Sequence, residues 1–270
     1  MPEALAHDRT WRKRTSRGRL ALWVGWLGLV ALTVWCWHVM TQDTIWSFVA
    51  DAPRQASDIG SRMVPPRWGY AATLWRPLWD TINIATLGTL LAIVLAVPVA
   101  FLAARNTTPS VAFVRPIALL AIVASRSINS LIWALLLVSI LGPGLLAGIV
   151  AIALRSIGFI GKLLYEAMEE IDENQVEAVA ATGASRTQIV AYGIVPQIMP
   201  AFAGVSMFRW DINIRESTIL GLVGAGGIGL QLEASLNTLA WPQVSLILLL
   251  ILGTVVVSEW VSARVRHAII

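Results

Sequence analysis

The feature that most constrains this chain is a series of apolar runs, each long enough to cross a lipid bilayer. A transmembrane helix needs about 20 consecutive, mainly apolar residues. The sequence contains six such runs, the fifth interrupted by charged residues, at positions 20–40, 81–104, 114–141, 145–165, 198–223 and 244–263. These runs predict an all-α, polytopic transmembrane bundle of about six spans.

Composition agrees with a membrane protein and excludes other classes. Hydrophobic residues make up 57% of the chain, charged residues only 13%, and the mean hydropathy is +0.71. A disordered chain has the opposite balance, and a disulfide scaffold needs more than the single Cys36. The net charge is only +4 despite a pI near 9.8. Membrane lipid is therefore the expected partner, and nucleic acid is not.

The runs divide the chain into four regions. These are a basic tail at 1–19, a first transmembrane anchor at 20–42, an external interfacial segment at 43–80, and a transmembrane core at 81–270. A signal peptide also follows a basic tail, but its apolar run has about 7–15 residues and precedes a small-x-small cleavage site. The first run is longer and lacks that site, so we expect a retained anchor.

The distribution of basic residues predicts the orientation. Six spans place twelve of the 20 Lys and Arg residues on the side of the N-terminal tail, four on the opposite side and four within the spans. Cytoplasmic loops carry the excess of Lys and Arg in membrane proteins. We therefore expect both termini in the cytoplasm.

The predicted external segment is rich in tryptophan. It contains Trp46, Trp68, Trp75 and Trp79, and tryptophan favours the boundary between membrane and water. Short helices lying along the membrane surface fit this composition. A loop with scattered aromatic residues fits it equally well.

The polar segment between the fourth and fifth runs, at about 166–196, has a helix-break-helix pattern. Small residues would let another protein approach the first helix closely, and Gly183 is a natural helix stop. Ser185 can cap a second short helix, and Pro196 marks the start of the next span. The element is shaped to fit a groove in a partner protein. An ordinary amphipathic connector is the alternative.

This segment resembles the EAA signature of the permease subunits of ABC importers. The resemblance rests on Glu177-Ala178-Val179, on Gly183, and on Pro196 thirteen positions later. The chain departs from the family pattern at Val179, Gly193 and Val195, while the spacing is intact. The resemblance implies that the segment couples to an ATPase subunit through Glu177, Ala178, Ala181, Gly183 and Pro196.

Further segments are similar to one branch of that family, the phosphonate-type importer permeases. These segments are 126–129, 162–169, 192–197, 208–215 and 221–229. Arg155, Asp211 and Glu216 depart from the branch pattern. The resemblance implies the type I, methionine-permease-like importer fold and inward transport of phosphonate or a related oxyanion such as phosphate or phosphite. An importer permease of the same fold for methionine, a betaine or another small solute is the alternative.

The resemblance also implies the partners. The chain itself would be no enzyme and hold no cofactor, because ATP and magnesium would bind to two separate ATP-binding subunits. A periplasmic or lipid-anchored solute-binding protein would deliver the substrate. Since each chain has one coupling segment, a homodimer of this permease in the cell inner membrane is expected.

Four arginines within the runs indicate an anion route. Arg126, Arg155, Arg209 and Arg215 each cost about 2.5–3.5 kcal/mol at the centre of a membrane helix, so each needs a partner or a wet cavity. In a continuous third span, Arg126, Asn129, Ser130 and Trp133 would share one helical face. The first three are candidates for a polar passage. Hydrogen bonding between helices, without substrate contact, is the alternative.

Charged residues in the fifth run fall into two groups. Asp211 and Arg215 are four residues apart, a spacing that favours a structural ion pair. Arg209 and Asn213 are predicted to contribute to the passage, on a second stripe with Glu216. Arg155 either faces the same space, pairs with Glu216, or reaches an interface.

A glycine run follows the fifth span, with Gly224, Gly226, Gly227 and Gly229 as its main members. No strand precedes it, so it lacks the context of a dinucleotide-binding loop. The family resemblance implies that it shapes the outer end of the passage. Close helix packing by small residues is the alternative.

Two other classes of membrane protein fit the sequence poorly. An intramembrane enzyme needs its catalytic groups gathered at one depth, but His7, His38 and His267 cannot meet a serine in the middle of the bundle. A self-sufficient secondary transporter is usually built from internal repeats, and no repeat is detected.

Overall fold

The computed structural model describes residues 16–269. That part of the chain contains eleven α-helices and no strand. The helices are α1 (Ser16–Thr41), α2 (Trp46–Met63), α3 (Ala71–Ala103), α4 (Val114–Ser127), α5 (Ser130–Leu141), α6 (Leu145–Glu169), α7 (Glu173–Ala181), α8 (Arg186–Ile189), α9 (Val195–Leu220), α10 (Ile228–Asn237) and α11 (Trp241–Ile269). The described part of the chain forms two compact units, one ending at Asp58 and the other beginning at Ile59.

The first unit contains the predicted anchor. α1 is apolar over Gly18–Thr41, which is long enough to cross a membrane. Most of the predicted basic tail lies outside the described residues. α2 begins in this unit, so of the two alternatives for the segment 43–80 the structure has a helix. The location of that helix at the membrane surface stays a prediction.

The second unit is organised around α6. This helix packs against α3, α4, α5 and α9. Small side chains permit close approach between membrane helices, and a Cβ on Gly88 of α3 would come within 2.8 Å of Ile152 on α6. Ala92, Ala96 and Ala153 continue this interface and are fully or almost fully buried. The close contact between α3 and α6 therefore follows from their small residues.

The number of apolar helices agrees with the six predicted runs. Among residues 16–269, five helices are long and apolar enough to cross a membrane, and the pair α4 and α5 makes a sixth if it counts as one span. α3 begins at Ala71, so Trp75 and Trp79 belong to this helix although they were predicted in the external segment. Pro77 and Asp80 interrupt the apolar run without ending the helix.

The prediction of a continuous helix over 114–141 is wrong. α4 ends at Ser127, α5 starts at Ser130, and the two meet at an angle of 88°. Ile128 and Asn129 between them have extended backbones, and the Asn129 side chain accepts a hydrogen bond of 3.1 Å from the Leu131 N–H. An asparagine side chain can cap a helix in this way and favours a break over helix continuation.

Candidate coupling segment and membrane passage

The predicted coupling segment is built from two short exposed helices. α7 starts at an N-cap formed by Asp172, which accepts a hydrogen bond of 3.0 Å from the Asn174 N–H. It ends before Gly183, whose φ of +81° lies in the left-handed region. The Gly183 N–H donates to the Ala180 carbonyl at 3.0 Å. The predicted helix stop is confirmed, and glycine suits it because it adopts this conformation without strain.

The second helix also starts where the sequence predicts. Ser185 is its N-cap, and the Ser185 N–H donates to the Gln188 side-chain oxygen at 2.8 Å. α8 continues through a π-helical turn, Val190–Ile194, into α9, with Pro196 in the first turn of α9. The segment is therefore joined directly to a long apolar helix, so a displacement of α7 and α8 can reach the bundle.

All five predicted coupling residues are exposed in this chain. These residues are Glu177, Ala178, Ala181, Gly183 and Pro196. Gly193, which departs from the family pattern, is buried, and a Cβ there would lie 3.4 Å from the Cα of Val176 on α7. That distance is an ordinary van der Waals contact, so space alone does not require glycine there. Through Gly193, the π-helical turn packs against Val176 of α7.

A cavity of about 620 Å³ opens beside the coupling segment. Its charged lining residues are Glu173, Glu177 and Arg186, and its apolar lining includes Val176 and Ile194. A concave surface lined by apolar and charged residues can receive a side chain of a partner protein.

The interior of the bundle contains a hydrogen-bonded polar network that joins three helices. Arg209 on α9 is 2% exposed, and its Nε donates to Ser156 Oγ on α6 at 2.8 Å. The Asn213 side-chain amide donates to Thr89 Oγ1 on α3 at 2.8 Å and to Ser156 Oγ at 3.1 Å. Arg209 and Asn213 are thus brought together as predicted, but both are buried within this chain. Their role in the passage stays a prediction.

One carboxylate serves two arginines at the edge of this network. Glu216 pairs with Arg155 through one oxygen and with Arg209 through the other, the latter at 3.4 Å. Arg155 also donates to Ser130 Oγ at 3.4 Å. Of the alternatives for Arg155, the structure has the pair with Glu216. The departure of both Arg155 and Glu216 from the family pattern was a signal that they pair. The contact between Arg155 and Ser130 was not predicted from the sequence.

The predicted structural pair on α9 is confirmed. Arg215 Nη2 lies 2.5 Å from Asp211 Oδ2, and Asp211 Oδ1 accepts a hydrogen bond of 2.7 Å from Ser258 on α11. Arg215 is therefore neutralised within its own helix.

The break between α4 and α5 divides the predicted stripe. Arg126 at the end of α4 and Asn129 at the cap of α5 are exposed, whereas Ser130 is buried beside Arg155. Trp133 packs against the core around Ile152. A single helical face through these residues is therefore wrong, because the extended backbone at 128–129 changes the direction of the chain. Arg126 has no hydrogen bond or ion pair to any of residues 16–269.

The glycine run forms a turn packed tightly against its neighbours. Gly224, Gly226 and Gly227 have φ values of +85°, +83° and +76°. A Cβ on Gly227 would come within 2.6 Å of Thr81 Oγ1, and one on Gly229, at the start of α10, within 2.0 Å of the Thr218 carbonyl. This geometry agrees with the packing alternative. The contribution of the run to the outer end of the passage stays a prediction.

Residues 18–268 contain no group of three or more His, Cys, Asp and Glu side chains that could hold a metal ion. What the interior offers is a set of guanidinium, amide and hydroxyl donors joined to one shared carboxylate. Donors of this kind suit the recognition of oxyanions.

A polytopic helical bundle with an exposed helix-turn-helix segment and an arginine-rich interior is characteristic of a membrane transport component. Residues 96–267 match the family described as "Binding-protein-dependent transport system inner membrane component". The chain belongs to this family, whose members are the permease subunits of ABC importers.

Curated relatives match over most of the chain. The phosphite transport system permease protein PtxC of Stutzerimonas stutzeri is 38% identical over 94% of both chains. The phosphate-import permease protein PhnE of Mycolicibacterium smegmatis is 40% identical over 77% of this chain and 39% of that protein. These similarities confirm the predicted family and permease class.

The fold is shared with a solved importer. An inward-facing structure of the MetNI methionine ABC transporter matches 75% of this chain and 99% of that chain, with a TM-score of 0.66 and 22% identity. The predicted type I, methionine-permease-like fold is confirmed.

Proposed function

We propose that this permease carries a phosphorus oxyanion inward, namely phosphite, phosphonate or phosphate. The observation that carries this proposal is the 38% identity with a phosphite permease over 94% of both chains. The methionine import permease MetP of Bacillus subtilis matches over only 34% of this chain. An oxyanion is therefore favoured over methionine as the substrate.

The charge of the interior supports an anionic substrate. Arg155 and Arg209 share the single carboxylate of Glu216, which leaves a formal charge of +1 in this cluster. Arg126 adds a further guanidinium without an ion-pair partner among residues 16–269. An excess of positive charge in a low-dielectric passage attracts anions and repels cations.

The proposed ATP-driven cycle requires partners that dock on both ends of the permease. The segment of α7 and α8 would seat an ATPase subunit that binds ATP and magnesium, and a separate solute-binding protein would deliver substrate on the opposite side. Two copies of this chain related by a twofold axis would supply the two coupling segments. The passage would then lie at that axis, with both termini of each copy in the cytoplasm of the cell.

Transport by the reconstituted complex tests the proposal. Proteoliposomes would contain this permease with its co-purified ATPase and binding protein, and ATP-dependent uptake of radiolabelled phosphite, methylphosphonate and phosphate would be compared with uptake of methionine. We expect uptake of at least one phosphorus oxyanion and none of methionine. Uptake of methionine alone would refute the proposed substrate class.

A further inference from the structure

We infer that Arg155 and Ser130 form an oxyanion contact inside the membrane, and that Glu216 is the resident counter-ion that the substrate replaces there. This inference rests on the proposed function, because it assigns residues to the passage of a phosphorus oxyanion. The sequence-based assignment placed the passage at Arg126, Asn129, Ser130, Arg209 and Asn213; this inference keeps Ser130 and joins it to Arg155.

The two arginines that share Glu216 differ in accessibility. The Arg209 side chain is 3% exposed and is held by Ser156, whereas the Arg155 side chain is 31% exposed. Glu216 itself is 14% exposed. Of the two guanidinium groups, Arg155 is therefore the one that an incoming anion can reach, while Arg209 anchors Glu216 from the buried side.

The depth of Arg155 makes its exposed face significant. At 1.5 Å per residue, it lies about 15 Å from the start of α6 and about 21 Å from its end. A charged side chain at this depth faces a wet cavity or a protein partner, because lipid does not solvate it. In the proposed dimer, the wet cavity and the protein partner would both lie towards the passage at the twofold axis.

The break between α4 and α5 brings a hydroxyl to the same place. Ser130 is the first residue of α5 and accepts a hydrogen bond of 3.4 Å from Arg155 Nη1. Arg155 offers forked donors that match a tetrahedral oxyanion. The Ser130 hydroxyl donates to Asn129 Oδ1 at 3.2 Å, and it can rotate to donate to an oxygen of the anion instead. The anion would take over the contact that Glu216 makes with Arg155, and Glu216 would keep its contact with Arg209.

The first test changes Arg155 and measures phosphite transported per ATP hydrolysed. Arg155→Gln leaves Arg209 paired with Glu216, so we expect the complex to assemble. Transport per ATP should fall about tenfold, because a charge-assisted hydrogen bond to the moving anion is lost. ATP hydrolysis stimulated by the loaded binding protein should stay close to the wild-type rate, whereas structural damage would lower both quantities.

Two further variants allow this result to be interpreted. Arg155→Lys keeps the charge but not the forked donors of the guanidinium, so transport per ATP should lie between the values of the wild type and Arg155→Gln. If Arg155→Gln does not assemble, Arg155→Lys alone provides the test. The control is the double variant Asp211→Asn with Arg215→Gln, which removes another intramembrane pair and should leave transport per ATP unchanged. Unchanged transport per ATP in both Arg155 variants overturns the inference.

The second test addresses the counter-ion. The permease–ATPase complex without binding protein would be equilibrated with labelled inorganic phosphate, and retained label measured. Glu216→Gln should retain several-fold more label than wild type because the competing carboxylate is gone, and adding Arg155→Gln should abolish the gain. Glu216→Asp, with a shorter carboxylate, gives the same comparison if the Gln variant does not assemble. No gain in either variant overturns the counter-ion role.

The wild-type complex separates this inference from the proposed function. If wild-type proteoliposomes take up none of phosphite, methylphosphonate and phosphate, the proposed function fails. If they take up phosphite, and the Arg155 variants transport it equally well per ATP, only the inference about Arg155 fails.

Discussion

The hydroxyl of Thr81 accepts a hydrogen bond of 2.7 Å from the backbone N–H of Ile228, 147 residues later in the chain. This bond ties α3 to the first residue of α10, and Gly227 packs against the same threonine. Both Thr81 and Ile228 are fully buried. The glycine turn is thereby fixed to the bundle by one side chain.

Replacing Thr81 with valine should destabilise the permease. Valine has nearly the same shape but leaves the buried Ile228 N–H unsatisfied, at a cost of about 1–3 kcal/mol. We expect a lower midpoint of thermal unfolding for the detergent-solubilised protein. The matched control is Thr254→Val, because the Thr254 hydroxyl donates to the Leu250 carbonyl of its own helix and, within residues 16–269, makes no hydrogen bond to another helix. Equal midpoints for the two variants would contradict the role of Thr81.

The coupling segment should be sensitive to a change at Gly183. A β-branched residue in the left-handed conformation is strained by about 1–2 kcal/mol, and no atom outside the local chain would clash with its Cβ. Gly183→Val should therefore act through backbone strain, weaken docking of the ATPase, and reduce uptake. Co-purification of the ATPase with the permease measures the docking.

A substitution at the same site provides the control for this prediction. Asparagine tolerates the left-handed region better than other non-glycine residues, so Gly183→Asn should retain more ATPase than Gly183→Val. If both variants bind the ATPase as well as the wild type does, strain at this turn does not control coupling.

Glu177→Lys tests the same surface by charge. Glu177 is exposed on α7, so the change reverses a surface charge without disturbing the core. We expect poorer recovery of the ATPase and lower uptake, with the arginines of the interior untouched. A normal complement of ATPase together with normal uptake would mean that the segment is an ordinary connector.

Local chemistry made the coupling segment predictable. Gly183, Ser185 and Pro196 each act on the backbone within a few residues, and the structure places them at a helix stop, a cap and a helix start. The break at Asn129 was missed because the apolar run continues through it, and hydropathy records burial in lipid rather than helix continuity. An asparagine within such a run was the available signal.

The polar interior was predictable only in part. Asp211 with Arg215 follows from helical spacing, and the structure contains that pair. Arg155 and Glu216 lie 61 residues apart, and no periodicity relates α6 to α9. Which arginine pairs with which carboxylate depends on how the helices pack, and this packing is seen only in the folded structure.

The proposed topology can be tested by labelling single cysteines. After Cys36→Ser, cysteines would be placed at Val111, in the loop between α3 and α4, and at Asn237, at the end of α10; both positions are exposed. The proposed orientation puts Val111 inside the cell and Asn237 outside. An impermeant thiol reagent added to intact cells should label only the second position, and the reverse pattern would invert the orientation.

The exposed position of Arg126 leads to a prediction about its role in transport. This residue is exposed at the end of α4, immediately before the 88° bend. A guanidinium in the middle of a span, with no ion-pair partner among residues 16–269, is stable only beside water, an anion or another protein segment. Arg126→Gln should therefore abolish phosphite uptake while the complex stays assembled and its ATPase active, because only an unpaired intramembrane charge is lost.

Assembly and transport together decide the role of Arg126. Size-exclusion chromatography of the complex reports assembly, and uptake by proteoliposomes reports transport. If the complex assembles and phosphite uptake matches the wild type, Arg126 does not act in the passage. If the complex dissociates instead, Arg126 stabilises an interface, and Arg126→Lys, which keeps the charge, should restore assembly more fully than it restores transport. Loss of transport in an intact complex would place Arg126 beside the route of the anion, because its guanidinium has no hydrogen bond or ion pair within the described part of the chain to lose.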